Sequence, residues 1–218
     1  MSWESAPKLN GLYLHSYLTS KGFEVEVVNS FFNESHFFQE LIEQTPLAVV
    51  ISTTFIPGKK PLQRLVDRIR DMTPDVYIIA GGPLVYLSYL LVQRADEESY
   101  DTESPKEDFL FLSTHGEPAI DHYVISLRGE QILADMLKRM RAGKPVDDLP
   151  NTARLVGKQY EFAPRIDDLS EDYGIDWKVL PDRVFKSGVV PLQASIGCPY
   201  KCSFCNFVKD RRLTSIKP

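Results

Sequence analysis

The chain has 218 residues, 43% of them hydrophobic and 25% charged, with a net charge of −5, the proportions of a globular protein with a real core. That acidic balance argues against a nucleic-acid-binding surface, which needs a basic excess, and no apolar run is long enough to span a bilayer. The opening MSWESAPKLN has neither a basic n-region nor an apolar h-region, which argues against secretion; three cysteines, all close together, make no disulfide framework and suit a reducing cytoplasm.

GLYLHSYLTSKG predicts a helix stopped by Gly22. EVEVVN alternates as a strand does, and SHFFQELIEQ predicts a second helix with Ser35 as its N-cap. LAVVIST is a short continuous apolar run, the pattern of a strand buried on both faces. KPLQRLVDRIRDM follows with Leu62, Leu65, Val66 and Ile69 at helical spacing. DVYIIAGG reads as another buried strand, and PLVYLSYLLVQR as another helix. The acidic stretch ADEESYDTESPKED has no apolar period and predicts a solvated insertion. FLFLS and HYVISLRGE fit the last strands of a sheet, and QILADMLKRMRAG a helix with cations in its last turn and Gly143 at its C-cap. Strands and helices alternating in short units imply parallel pairing with right-handed crossovers, so the first 145 residues are expected to form a doubly wound α/β domain. Beyond Val146, TARLVGKQYEF reads as a small hairpin around Gly157 and DDLSEDYGIDWKVLP as irregular linker with a helical turn.

Ligands of an open parallel sheet bind in the crevice beyond the carboxyl ends of its strands. Those ends are STTF, with Ser52 and Thr54, then Gly81, Gly82 and Pro83, and then Arg128, Gly129 and Glu130. Hydroxyls after one strand and paired glycines after the next would let a large flat ligand approach the backbone. The alternative is that Gly81 and Gly82 only make a tight strand-to-helix turn. No GxGxxG follows a strand and PGKKP lacks the Walker spacing, which disfavours nucleotide phosphate.

All three cysteines fall in CPYKCSFC, at Cys198, Cys202 and Cys205. Thiolates at this spacing can converge on one inorganic centre. A structural zinc site would want a fourth protein ligand, and the four histidines lie far upstream. On a cubane cluster, three thiolates leave one iron open to a small molecule.

IGCPYKCSFC resembles the CxxxCxxC signature of the radical S-adenosylmethionine enzymes. The resemblance implies that Cys198, Cys202 and Cys205 hold a catalytic 4Fe–4S cluster whose open iron binds S-adenosylmethionine and cleaves it to a 5′-deoxyadenosyl radical. It further implies that Phe204 packs near the adenine and that VVPLQASIG is the first strand of the barrel. Upstream, PKLNGLYLHSYLTSKGFEVEVVN, VVISTTF, IIAGGP and ISLRGE resemble, in order and spacing, the cobalamin-binding domain that precedes the barrel in one large subclass. By this analogy the corrin lies across the strand ends, near Ser52, Thr54, Gly81, Gly82, Pro83 and Arg128 to Glu130. Two departures stand out. The strand that usually precedes the PKLNGLYL helix is not visible, and the Asp-x-His-x-x-Gly element of many cobalamin domains is absent; ESHFFQ follows the wrong strand, and His36 reads as an ordinary helix-start residue.

The expected organisation is therefore a Rossmann-like, cobalamin-binding-type α/β domain over 1–145, a linker with a small hairpin over 146–186, and over 187–218 the first strand and cluster loop of a radical S-adenosylmethionine barrel. A full barrel takes about 250 residues, so the chain is expected to be the N-terminal portion of a longer enzyme and inactive alone. The implied function is a cobalamin-dependent radical enzyme, a methyltransferase on an unactivated centre. It would act on a small-molecule or natural-product-like substrate and take electrons from a donor such as flavodoxin or ferredoxin. A radical enzyme whose upstream domain has lost cobalamin and binds substrate or a partner instead, and a non-enzymatic zinc or interaction module, are the alternatives.

Overall fold

Three short parallel strands and the helices between them form the frame. The structure, a computed structural model, describes residues 6–95, 103, 105–113, 116–166, 174–192, 195–196 and 214–215. In chain order the main elements are α1 (Leu9–Ser20), α2 (Ser35–Ile42), β1 (Val49–Ser52), α3 (Lys59–Met72), β2 (Ile78–Gly81), α4 (Pro83–Ala95), β3 (His122–Val124), α5 (Glu130–Arg141), β4 (Thr152–Val156) and β5 (Gln159–Phe162). The sheet order is β1-β2-β3-β4-β5. β1, β2 and β3 run parallel, with Ser52 opposite Gly81 and Gly81 opposite Val124. β4 and β5 continue the sheet antiparallel.

Alternation along β2 shows why its apolar run is continuous. Ile78 and Ala80 join a core with Leu62, Val66 and Ile69 of α3 and Leu84 and Val85 of α4. Ile79 points the other way, to Tyr17 and Leu18 of α1 and Leu133, Met136 and Leu137 of α5. Both faces are covered by helices, the condition under which parallel strands lose their polar side. Leu62, Val66 and Ile69 stand at helical spacing on one face of α3 and are almost wholly buried, each contributing about 1.5–3 kcal/mol by its burial.

Several expectations are met and several corrected. The helix at GLYLHSYLTSKG starts earlier, at Leu9, and ends where Gly22 takes a φ of +84°. Gly143, at φ +64°, lies just past the end of α5, and its N–H bonds the Met140 carbonyl. The hairpin forms around Gly157 at φ +62°, and it joins the main sheet beside β3. Ser35 is the first residue of α2 rather than its cap; Glu34 stands at the N-cap, its carboxylate turned back to accept from the Asn29 and Ser30 N–H groups.

EVEVVN is not a strand. Its alternation is real, with Val25 and Val27 turned inward and Glu24 and Glu26 outward. However, β1 pairs only with β2 among the described residues, so no ladder includes 24–29. That stretch is held by side chains instead, with Val27 pressed against Gly11 of α1. FLFLS is not a strand either. Phe111 has a φ of +70°, outside the β region, and Leu110 N–H bonds the buried Ser88 hydroxyl of α4; the apolar run reflects burial under α4. Of VVPLQASIG, Ser195–Ile196 form a two-residue strand paired antiparallel with Thr214–Ser215.

The insertion returns to the core through a buried charge. Lys59, at the start of α3, donates to Glu117 Oε1 at 3.1 Å and to the Lys106 carbonyl at 2.9 Å. Tyr160 of β5 donates to Glu117 Oε2 at 2.6 Å. The side chains of Lys59 and Glu117 are 5% and 2% exposed. Burial raises the Glu117 pKa, and the Tyr160 and Lys59 hydrogen bonds only partly offset it.

A group whose folded pKa is raised contributes stability that is fully present below its unfolded value, about 4.3 for Glu, and lost as pH rises through the folded value. Urea midpoints should therefore fall over that window in wild type relative to Glu117→Gln, whose curve lacks this component. Lys59→Met removes the compensating cation, should push the loss to higher pH, and should cost about 3–5 kcal/mol at neutral pH.

Candidate functional site

Parallel pairing brings the ends of β1, β2 and β3 to one edge, where the chain leaves each strand for a helix. After β1, a short 3-10 turn spans Thr53–Phe55. Thr53 is buried, and its hydroxyl donates to the Gly81 carbonyl at 2.8 Å and accepts from Leu84 N–H at 3.2 Å. It thereby ties the end of β1 to the end of β2 and to the first turn of α4. Thr54 and Phe55 are exposed, and Lys8 Nζ lies 5.5 Å from the Phe55 ring centroid.

Gly82 has a φ of +102°, and a Cβ there would meet Thr53 Oγ1 at 3.1 Å and Thr53 N at 3.2 Å. The turn itself therefore demands glycine. Gly81 differs, since a Cβ would make only ordinary contact with Val124 at 3.5 Å. Pro83 is the first residue of α4, where its missing N–H and fixed φ suit a helix start.

After β3, Ser126 Oγ accepts from Arg128 N–H at 2.8 Å, turning the chain into α5. Gly129 is the N-cap of α5, and a Cβ there would fall 2.5 Å from Val124 Cγ1. Glu130 is buried and accepts from the Tyr13 hydroxyl of α1 at 3.1 Å. Burial first, and then the Glu130 carboxylate, hold the Tyr13 phenol well above its ordinary pKa, so it remains a donor.

From α1, Asn10 Nδ2 donates to Ser52 Oγ at 2.7 Å, and Ser52 Oγ lies 3.1 Å from Thr54 Oγ1. The structure thus gathers Ser52, Thr54, Gly81, Gly82, Pro83, Arg128, Gly129 and Glu130 at one end of the sheet and adds Asn10, Tyr13 and Thr53, which pattern alone did not single out. Cys198, Cys202, Cys205 and Phe204 lie outside the described residues, and among the described residues no three acidic, histidine or cysteine side chains could hold a metal ion.

The described histidines are placed elsewhere. His36 is on the surface, paired with Glu40. His15 is buried and bonded to the Val25 backbone. His122 opens β3 at the far end of the sheet, in hydrogen-bond contact with Tyr77; burial lowers its pKa and pushes Tyr77 up to about 12. It lines a cavity of about 380 Å³ with Asp147, Thr152, Arg154 and Glu161, among others.

Parallel strands that end in glycine turns, with helices on both faces of the sheet, define a Rossmann-like α/β domain. Residues 5–104 match the family model of the B12 binding domain. No curated protein matches the chain by sequence.

Among solved structures, the chain is similar in fold to the radical S-adenosylmethionine methyltransferase TsrM from Kitasatospora setae with cobalamin and a 4Fe–4S cluster bound. That likeness has 15% identity, a TM-score of 0.50, and covers 77% of this chain and 28% of that one. The same enzyme with tryptophan substrate and the S-adenosylmethionine analogue aza-SAM bound gives 15% identity and a TM-score of 0.57, covering 100% of this chain and 41% of that one. The chain thus spans well under half the length of these structures. No helix among the described residues is long and apolar enough to cross a membrane.

The two glycines separate in stability. Gly82→Ala should lower unfolding free energy by more than 1 kcal/mol, because alanine disfavours the positive φ and crowds Thr53. Gly81→Ala should stay within about 1 kcal/mol of wild type. Thr53→Val, which strips two backbone groups of their partner, should cost about 1–3 kcal/mol. Chemical denaturation of the three variants checks all of this.

Proposed function

We propose that this chain is the N-terminal portion of a cobalamin-dependent radical S-adenosylmethionine enzyme, a methyltransferase acting on an unactivated centre of a small-molecule or natural-product-like substrate. The observation that carries the reading is a strand-end edge within residues 5–104, which match the B12 binding domain model, followed in the same chain by CPYKCSFC. Neither feature alone would support it: the crevice suits a cobalamin carrier of any kind, and three cysteines suit several metals.

The groups at the strand ends suit a corrin. Gly81 adds no side chain above the sheet, exposed Thr54 and the Arg128–Glu130 turn supply polar groups around it, and Phe55 gives an apolar edge, 59% exposed. Bound there, cobalamin would supply a methyl carrier. Thr54, backed by Ser52, and Arg128 would hold its rim, and Tyr13 with Glu130 would close the side between α1 and α5. Of the described histidines, His36 is on the surface and His122 opens β3 at the opposite end from Val124, so neither is placed to hold the corrin. Cys198, Cys202 and Cys205 would hold the cluster that S-adenosylmethionine joins, with Phe204 beside the adenine and electrons arriving from a flavodoxin or ferredoxin. The acidic, helix-and-sheet character of the chain suits a cytoplasmic setting without nucleic acid or membrane.

Equilibrium titration with hydroxocobalamin tests the upstream half. Binding with a base-off spectrum, unchanged by His36→Ala, is expected, and absence of measurable affinity would favour a domain that serves substrate or a partner. For the downstream half, anaerobic reconstitution of the full-length enzyme should give about four irons per chain. Replacing Cys198, Cys202 and Cys205 together by alanine should abolish them; iron retained in that variant would sink the cluster assignment.

A further inference from the structure

Asn10 is the polar side chain of the crevice that the fold itself does not explain. Its Nδ2 is committed to Ser52 Oγ at 2.7 Å, yet its Oδ1 is buried without a partner. An unpaired buried carbonyl is a local cost to stability. Such local conflicts concentrate at functional sites.

Its effect is on hydrogen direction. A hydroxyl carries one hydrogen and two lone pairs. Ser52 Oγ receives the Asn10 N–H on a lone pair, and in its 3.1 Å hydrogen bond with Thr54 Oγ1 either hydroxyl could donate; with a donor rather than an acceptor on its inner side, the Ser52 hydrogen is free to turn to Thr54. In that arrangement Thr54 keeps its hydrogen for whatever lies outside, and Thr54 is exposed. An acceptor in place of Nδ2 would draw the Ser52 hydrogen inward, the Thr54 hydrogen would follow to Ser52, and the exposed oxygen would offer lone pairs only.

We propose that Asn10 is a positioning residue that orients the Ser52–Thr54 hydroxyl pair outward, so that Thr54 donates to an acceptor on the ligand rim, the carboxamide oxygen of a corrin arm. The assignment rests on the cobalamin reading above. It makes the first turn of α1 a determinant of ligand binding although Asn10 itself touches no ligand.

Hydroxocobalamin affinity and the melting temperature of the ligand-free chain are measured together for wild type, Thr54→Val, Thr54→Ser, Asn10→Asp and the double variant Asn10→Asp/Thr54→Val. Thr54→Val should weaken binding about five- to tenfold, as loss of one neutral hydrogen bond does, and Thr54→Ser should retain it. Asn10→Asp, which accepts only, should weaken binding by a similar factor through Thr54. The double variant should then be no weaker than either single one, because both act on the same hydrogen bond. Should Asn10→Asp melt too low to titrate, Ser52→Ala interrupts the pair at its middle and should give the same pattern with Thr54→Val.

Full additivity, or Thr54→Val binding as tightly as wild type, overturns the relay while leaving cobalamin binding intact. A wild type that does not bind hydroxocobalamin overturns the cobalamin reading and the relay with it.

Discussion

The row Ser52–Gly81–Val124 is the constraint on which the rest of the crevice depends. Parallel pairing in this register ends three strands at one level, so three chain reversals must share one edge. Thr53 resolves the first crowding by inserting its hydroxyl between the Gly81 carbonyl and Leu84 N–H. That insertion leaves no room for a Cβ at Gly82. The third reversal is drawn to the same level because Gly129 packs on Val124, which sets the start of α5 beside α1 and lets Tyr13 reach Glu130. The strand-end surface is thus a by-product of closing three turns at once, with Thr54, next to the buried Thr53, left exposed.

The antiparallel hairpin solves a different problem at the other side of the sheet. β3 has only three residues and would be a weak edge. β4 pairs with it, and the aromatic side chains of β5, Tyr160 and Phe162, pack edge-on against Phe111 with centroids 4.9 and 5.4 Å away. The returning segment is fastened at the same place, since Tyr160 also donates to Glu117, the partner of Lys59. The cation at the head of α3, a carboxylate from the segment just before β3 and a phenol from the last strand therefore depend on one another. Removing one of them leaves a buried polar group exposed to a low dielectric, which costs more than the pair contributes.

What was legible in the sequence follows from what each signal measures. IIAG could be read because burial on both faces leaves no polar positions, and α3 because Leu62, Val66 and Ile69 repeat at its period; VVIS is a strand too, but at the sheet edge with Val50 exposed, not buried on both faces as its apolar run implied. EVEVVN and FLFLS misled because alternation and apolarity record burial, whereas a strand also needs a partner. Gly81 and Gly82 stood out as a pair, yet only Gly82 is required by the turn, a distinction made by φ and by Thr53, neither visible in a string of letters. Asn10, Tyr13 and Thr53 carried no signal, since their roles come from residues 42, 117 and 28 positions away.

α1 joins these two levels of organisation. Asn10 and Tyr13, one turn apart, reach the strand ends. Leu12 and Ser16, on a neighbouring face, meet the segment beyond the hairpin: Leu12 packs with Leu180 and Val184, and Ser16 Oγ accepts from Asp176 N–H at 2.8 Å. Arg183 adds a bond to the Val27 carbonyl at 2.8 Å and an ion pair with Glu26, gripping the same 24–29 stretch that has no ladder of its own. The wall of the crevice and the anchor of the chain leading toward the cysteines are therefore two faces of one helix. A displacement of α1 would be felt at Leu180 and Val184 without an intervening loop to absorb it, because packed side chains transmit a shift that flexible backbone would dissipate.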